Sequence, residues 1–445
     1  MKSTTICALA SSVGKGGIGV VRVSGEIAAA IGGKMLGELP QPRQAKYGWF
    51  VDKNGVKIDK GIALFFPSPN SFTGEDVLEL QGHGGISVMN NLLSAALEFG
   101  AVAAEPGEFS KRAFLNGKMD LLQAEAVADI IDANSTQAAR SALRSLSGEF
   151  SEQANALTKS IIDLRVFVEA SIDFADEEID ILQADKVKIK LENICQEIAK
   201  ILKSAEQGAI LREGLNVVIA GKPNAGKSSL LNALTRQSSA IVTDIAGTTR
   251  DVLKETIHLN GLPLNIIDTA GLRPSDDVVE KAGIKRAYAE IEQADVVLLV
   301  FDASADEADF SLLSERADCK NLLLIKNKID LTKEPATRQI IDGKVQFSIS
   351  AKSADGLELL SAELAKIAGF DGSTQGVILA RKRHIIALKN TLEAMKSAQA
   401  QWENGAVELA AQDLRDGGQS MGSITGEFSA DDLLGEIFSS FCIGK

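Results

Sequence analysis

The chain has 445 residues, room for about three domains of ~150 residues each, and its 45% hydrophobic and 24% charged content is that of a globular protein with a packed core. A net charge of -13 argues against a broad nucleic-acid-binding surface, though not against a local one. Four widely spaced cysteines (Cys7, Cys195, Cys319, Cys442) exclude a disulfide framework and a structural zinc site; with no signal core and no apolar run near the ~20 residues of a membrane span, they predict a reduced, cytoplasmic protein with no membrane partner.

Proline placement divides the chain. None falls between Gly107 and Lys222, and none after Pro335. Long proline-free stretches permit long helices, because an interior proline removes a hydrogen bond and clashes with the preceding turn. The expected order is a small α+β domain, a helical segment, a nucleotide domain and a second helical segment, bounded as 1–118, 119–213, 214–370 and 371–445. In the first, Val20 to Val23, Gly61 to Phe66 and Asp76 to Gln81 read as strands, and Ile86 to Phe99 as a helix. The glycine runs Gly14 to Gly19 and Gly82 to Gly85 read as turns, glycine being the ordinary solution for a positive φ. His83 has no second ligand nearby in sequence and is not read as a metal ligand.

Asp120 to Asp132 has helical spacing. Leu143, Leu146, Phe150, Leu157, Ile161, Leu164 and Val168 recur as one helix face. The acidic cluster Asp173, Asp176, Glu177, Glu178 and Asp180 reads as a solvated loop. A further helix runs from about Lys186 to Gly208.

Gly221-Lys222-Pro223-Asn224-Ala225-Gly226-Lys227-Ser228 is the GxxxxGKS phosphate loop, between the apolar run Leu215 to Ala220 and the helix opening Ser229 to Leu234. Its backbone N–H groups can face phosphate oxygens, Lys227 can reach the terminal phosphates, and Ser228 can ligate Mg2+. Thr243-Asp244-Ile245-Ala246-Gly247-Thr248-Thr249 is a hydroxyl-bearing loop that can close over the γ-phosphate and offer a threonine to Mg2+. Val252 to Leu259, Leu264 to Ile267, Val296 to Phe301 and Leu322 to Ile325 read as strands. Asp268-Thr269-Ala270-Gly271 supplies DxxG, and Asn327-Lys328-Ile329-Asp330 supplies NKxD, whose aspartate accepts from the guanine N–H groups and so selects GTP over ATP. Ser350-Ala351-Lys352 can offer a backbone N–H to the guanine oxygen. The expected GTP contacts are Asn224 to Ser229, Thr243 to Thr249, Asp268 to Gly271, Asn327, Lys328, Asp330, Ser350, Ala351 and Lys352.

Leu272 stands where Ras-type proteins carry a water-orienting glutamine. A monovalent cation held by Asn224 and the Thr243–Thr248 carbonyls could offset charge at the phosphates, and Glu280 could position water; the plain alternative for Glu280 is a surface carboxylate.

Gly376 to Gly405 and Ala406 to Arg415 read as helices, and Ile424 to Phe438, after Gly417-Gly418, as another. Arg381 to His384 reads as a solvated basic helix start. The terminal Cys442 is placed for reactivity or ligand binding.

Taken whole, the chain resembles the MnmE (TrmE) family of tRNA modification GTPases. The marks are GGIGVVRVSG at Gly16, SFTGEDVLELQGHGG at Ser71, FLNGKMDL at Phe114 followed by QAEAVADII, the GTPase motifs with GTTRD and DTAGLR, and CIGK from Cys442. The resemblance implies a multidomain α+β and α/β protein: a small N-terminal folate-binding and dimerisation domain, a discontinuous helical domain, and a Ras-like P-loop GTPase domain inserted into it. It implies a potassium-activated GTP hydrolase. With an FAD-dependent partner, MnmG (GidA), the family forms a heterotetramer. It adds an aminomethyl or carboxymethylaminomethyl group to the wobble uridine of certain tRNAs, using a one-carbon unit from 5-formyl- or methylene-tetrahydrofolate. By motif, Arg22, Glu79, Lys118 and Lys445 would bind the folate, with Cys442 nearby; Asn224, Thr243, Ile245 and Thr248 would hold K+; Ser228 and Thr249 would hold Mg2+; Glu280 and Lys227 would be catalytic. The family is a homodimer, and the acidic charge suggests that the partner supplies part of the tRNA contact. A ribosome-assembly GTPase of the Era or EngA type is the alternative. It shares the cation-bearing loop but lacks the N-terminal domain and the Cys-Ile-Gly-Lys ending.

Overall fold

A computed structural model of the chain describes residues 4–12, 14–133, 135–173, 181–237, 254–259, 261–268, 294–304, 321–369, 377–427 and 431–444. They fall into two compact units, one of residues 1–131, 145–194 and 393–445, the other of 132–144 and 195–392.

The first unit opens with β1 (Ile6–Leu9), β2 (Gly16–Ser24), α1 (Ala28–Leu36), β3 (Lys46–Val51), β4 (Lys57–Phe66), β5 (Val77–Gly84), α2 (Ile86–Glu98) and β6 (Val102–Ala103). The strands form a six-stranded sheet in the order β3-β4-β5-β2-β1-β6. Alternation divides its faces. Val21, Val23, Ala63, Leu78 and Leu80 are buried against Ile31 and Met35 of α1 and Met89 and Leu92 of α2. Arg22 and Glu79 point the other way, as directly opposed residues of β2 and β5.

Gly16 to Gly19 and Gly82 to Gly84 of the glycine runs are strand, not turn. Gly16 pairs with Gly84 and Gly19 with Gly82, with a register shift between. A Cβ on Gly84 would lie 2.7 Å from the Gly16 carbonyl oxygen and 2.8 Å from that of Ile18. Glycine serves close backbone approach here, a need that sequence cannot distinguish from a positive φ.

Then come α3 (Glu108–Leu115), α4 (Leu121–Asp132), α5 (Thr136–Leu146), α6 (Glu149–Asp173) and α7 (Ile181–Glu213). A reciprocal capping box opens α4: the Gln123 N–H donates to Asp120 Oδ1 at 2.8 Å, and the Asp120 N–H to Gln123 Oε1 at 3.0 Å. The single face expected from Leu143 to Val168 is broken at Gly148, whose φ is +94°. Phe150, Leu157, Ile161, Leu164 and Val168 are buried on α6, whereas Leu143, before the break, is 55% exposed. The acidic cluster from Asp176 to Asp180, with the side chain of Asp173, lies outside the described residues.

The second unit continues with β7 (Leu215–Ala220), α8 (Lys227–Gln237), β8 (Lys254–Leu259), β9 (Leu262–Asp268), β10 (Val296–Asp302), β11 (Leu322–Asn327), α9 (Ile329–Thr332), β12 (Thr337–Ile341), β13 (Lys344–Ile349) and α10 (Leu357–Ile367). The sheet order is β12-β13-β11-β10-β7-β9-β8. β13, β11, β10, β7 and β9 run parallel, and the edges β12 and β8 antiparallel. Val217, Ile219, Leu298 and Ile325 pack with Leu230, Leu234 and Leu360, while Val218, Val297, Leu299 and Leu324 form a second cluster. Wholly apolar strands are what a sheet covered on both faces requires. β12 escaped the sequence reading. Its signal was Asp342-Gly343 directly after Ile340-Ile341; both have positive φ, +49° and +75°, as a tight hairpin turn needs.

The chain closes with α11 (Lys382–Glu403), α12 (Val407–Thr425) and α13 (Asp431–Ser439). Three expectations fail here. Val377 to Ala380, read as helix, are buried non-helical residues, with the Ile378 N–H donating to Ser204 Oγ at 3.0 Å. His384 is 2% exposed rather than solvated, and its Nδ1 accepts from the Arg381 N–H at 3.0 Å, capping α11. Gly417-Gly418 does not end a helix, because α12 runs through it. A Cβ on Gly418 would sit 3.6 Å from Ile161 of α6, so a small residue suits this helix contact; the helix stops instead at Gly426, φ +89°.

Candidate functional site

β7 delivers the phosphate loop and α8 receives it. Gly221, Asn224 and Gly226 have φ of +148°, +64° and +95°. Those values suit glycine and asparagine and curl the chain so that successive N–H groups face one way. A Cβ on Gly221 would run into the Val300 carbonyl oxygen, and one on Gly226 into the Asn327 amide. Lys227 Nζ donates to the carbonyl oxygens of Gly221 at 2.7 Å and Lys222 at 3.0 Å, which holds the ammonium beside the loop. Ser228 follows it, exposed, in the first turn of α8, where the helix N-terminus favours anions.

Asn327 ties the loop to the rest of the site. Its Nδ2 donates to the Ala225 carbonyl at 3.1 Å, and its Oδ1 accepts the Ala351 N–H at 3.0 Å. Asp330 Oδ1 accepts from the Ser350 hydroxyl at 2.8 Å, which orients the carboxylate. These three motifs, distant in sequence, line one cavity of about 610 Å³ with Gly226, Ser229, Asn327, Lys328, Asp330, Ala351 and Lys352 on its wall. Asn232 and Arg236 line it too and escaped the sequence reading. With Ser229 and Ala233 they follow helical spacing of three, four and seven, a signal that was present.

Lys328, at φ +71°, pairs with Asp302 at the end of β10, Nζ to Oδ2 2.6 Å. The Lys328 ammonium first, then the Ser304 N–H and hydroxyl, pull the Asp302 carboxyl down to about 2. A depressed folded-state value means that the pair's contribution is complete above the ordinary carboxylate value of about 3.9 and is lost as pH falls toward 2. In Asp302→Asn that step in urea-unfolding free energy between pH 4 and pH 2 should vanish. The looser Lys328 should speed GDP release about tenfold at neutral pH, about one charged hydrogen bond's worth, as stopped-flow fluorescence would read.

Thr243, Asp244, Ile245, Ala246, Gly247, Thr248, Thr249, Thr269, Ala270, Gly271, Leu272, Glu280 and Lys445 lie outside the described residues, as does the side chain of Asp268.

The N-terminal candidates form a second site. Arg22 meets Glu79 through Nε at 3.0 Å and Nη2 at 2.9 Å, both to Oε1. The guanidinium carbon lies 5.7 Å from the ring centres of both Phe72 and Phe109. The C-terminal tail docks beside the pair: Arg22 Nη1 is 3.5 Å from the Gly444 carbonyl oxygen, and the Gly107 N–H donates to the Cys442 carbonyl at 3.3 Å. Cys442 itself is exposed. Lys118 makes no bond to the pair among the described residues. Its stem reaches the loop that follows Phe72, with Cγ 3.4 Å from where a Gly74 Cβ would be. Arg112 and Glu75 were not foreseen. Arg112 Nη1 reaches Glu75 Oε2 at 3.0 Å, and that oxygen also accepts from the Ser24 hydroxyl at 2.8 Å, which pins the same loop to β2. A carboxylate and a guanidinium beside two aromatic rings suit a flat heterocycle with N–H donors.

A family model for the MnmE helical domain matches residues 121–442, and one for the N-terminus of the GTP-binding protein TrmE matches residues 5–118. The tRNA modification GTPase MnmE of Ruthia magnifica subsp. Calyptogena magnifica is 68% identical over 442 residues, covering 99% of each chain. That of Pseudomonas fluorescens (strain Pf0-1) is 54% identical over 450 residues, again covering 99% of each. The chain belongs to the MnmE family. The chain is thus a tRNA modification GTPase, and the ribosome-assembly alternative is set aside. Among the described residues no helix is long and apolar enough to cross a membrane.

Proposed function

We propose that this MnmE-family GTPase transfers a tetrahydrofolate one-carbon unit toward the wobble uridine of certain tRNAs. It works with an FAD-dependent MnmG (GidA) partner in a heterotetramer, and the product is an aminomethyl or carboxymethylaminomethyl group. One observation carries this reading: Arg22 and Glu79 of the N-terminal sheet meet each other and the backbone of Gly444, bringing both ends of the chain to one aromatic-walled site. Glu79 would accept from the N–H edge of the pterin with Arg22 beside it, while Lys118 and Lys445 would hold the carrier's anionic tail. Cys442 would lie nearby. Two copies would dimerise through their N-terminal domains, and the partner would supply part of the tRNA contact.

At the nucleotide, Ser228 and Thr249 would hold Mg2+, and Asn224, Thr243, Ile245 and Thr248 would hold K+. The exposed Ser228 hydroxyl and exposed Asn224 are oxygen donors, the chemistry both hard cations take. These ions supply positive charge where the phosphates gain negative charge. Lys227 adds its own, and Glu280 orients the attacking water in place of the glutamine that Leu272 replaces. GTP hydrolysis in K+ should exceed that in Na+ at least tenfold, and equal rates would reject the cation site. In cells lacking the chain, nucleoside mass spectrometry should find the wobble uridine unmodified; normal modification would sink the proposal.

A further inference from the structure

We propose that Arg112 is a positioning residue that assembles the carrier site at Arg22 and Glu79 through the segments it holds; this rests on the folate reading above. Its guanidinium is forked between two carboxylates. Nη1 lies 3.2 and 3.0 Å from the two oxygens of Glu75, and Nη2 lies 2.7 Å from Glu108 Oε1. The Arg112 side chain is 11% exposed and that of Glu75 16%.

Each carboxylate belongs to a segment that builds one wall of the site. Glu75 lies in the loop 71–76. There the Phe72 ring centre is 5.7 Å from the Arg22 guanidinium carbon, and a Cβ on Gly74 would be 3.4 Å from Lys118 Cγ. Glu108 opens α3, and the next residue, Phe109, sets its ring centre 5.7 Å from the same guanidinium carbon. Just before α3, Gly107 seats the C-terminal tail. Its N–H donates to the Cys442 carbonyl, and a Cβ there would come within 2.6 Å of the Phe438 carbonyl oxygen. Glu108 Oε2 fixes this turn by accepting the Glu105 N–H at 2.8 Å. Arg112 thus joins the Phe72 loop, which also touches Lys118, to the seat of the tail.

The loop is held by a closed ring of donors. A carboxylate only accepts, so the Ser24 hydroxyl donates to Glu75 Oε2 at 2.8 Å. The Thr73 hydroxyl then donates to Ser24 Oγ at 2.7 Å, and Thr73 Oγ1 accepts the Glu75 N–H at 3.2 Å. Ser24 and Thr73 are both fully buried. A buried polar network of this kind specifies one geometry only while every member is satisfied. Without Arg112, Glu75 and Glu108 lose the cation between them and repel. A lysine restores the charge but not the fork, since its single nitrogen cannot present two parallel arms.

A residue that assembles a site changes the fraction of molecules ready to bind. Association slows by that fraction, and dissociation keeps its rate. A residue that holds the ligand directly, as Glu79 would, acts mainly on dissociation.

The test is stopped-flow binding of 5-formyltetrahydrofolate to the full-length protein and to Arg112→Met, Arg112→Lys and Glu79→Gln. Arg112→Met should bind about thirtyfold more weakly, nearly all of it in slower association. Arg112→Lys keeps the charge and so protects the fold; it should show the same split at about fivefold. Both should hydrolyse GTP at the normal rate, and Glu79→Gln should lose affinity through faster dissociation. Unchanged carrier affinity in the Arg112 variants, a loss carried by dissociation, or an equal loss of GTP hydrolysis would overturn the positioning role alone. Failure of the unmodified protein to bind the carrier would overturn the folate reading, and the positioning role with it.

Discussion

Asp330→Asn should transfer base preference from guanine to xanthine, with GTP affinity falling roughly 10⁴-fold. A site built to satisfy a ligand's N–H donors rejects a mismatched partner by about that factor, because a buried polar group is left unpaired. With guanine bound, the carboxylate would accept from both its ring N–H and its amino group. An asparagine presents one donor where the amino group was, which repels guanine and suits the carbonyl that xanthine carries there. Asp330 is held for this task by the Ser350 hydroxyl, 2.8 Å from Oδ1, on the wall it shares with Ala351 and Lys352. Ser350→Ala should cost only about tenfold, near the low end for a hydrogen bond to a charged group, because the hydroxyl orients the carboxylate rather than binding guanine. Competition of GTP and XTP against a fluorescent GDP would measure both, and an unchanged preference in Asp330→Asn would show that guanine is read elsewhere.

Glu79→Gln should separate the two activities. Binding of 5-formyltetrahydrofolate should weaken about 10–100-fold, since hydrogen bonds to a charged group contribute about 1.5–3 kcal/mol. Wobble uridine modification should fall with it, while GTP hydrolysis stays at its normal rate. Stability should drop by only about 1 kcal/mol, because both partners are near one-fifth exposed, at 22% and 18%, and solvent screens the pair. Arg22 would also keep its contacts with the Phe72 and Phe109 rings. Calorimetry with the carrier, beside a GTPase assay, reads the split. Equal loss in both would mean that Glu79 acts only by holding the fold.

By itself the sequence determined the nucleotide chemistry and the family. The motifs that call for phosphate and guanine are short contiguous runs, Gly221 to Ser228, Asn327 to Asp330 and Ser350 to Lys352, and the conformation of the first is coded locally in its glycines and in Asn224. The flanking apolar strands were equally plain, because burial on both faces leaves no polar choice. Tertiary structure decided whatever depended on a neighbour far along the chain. Gly84 is a glycine because two backbones close on each other, and Gly418 lies at a contact with α6 that suits a small residue; locally, each read as a turn or a stop. His384 is a cap and His83 is paired with Asp59 because of what each touches, and neither contact leaves a period in the sequence. The docking of Gly444 beside Arg22 joins residues 422 positions apart. Hydrophobic periodicity and turn chemistry reach only a few residues along a chain, and such a meeting is set by how sheet and helices pack.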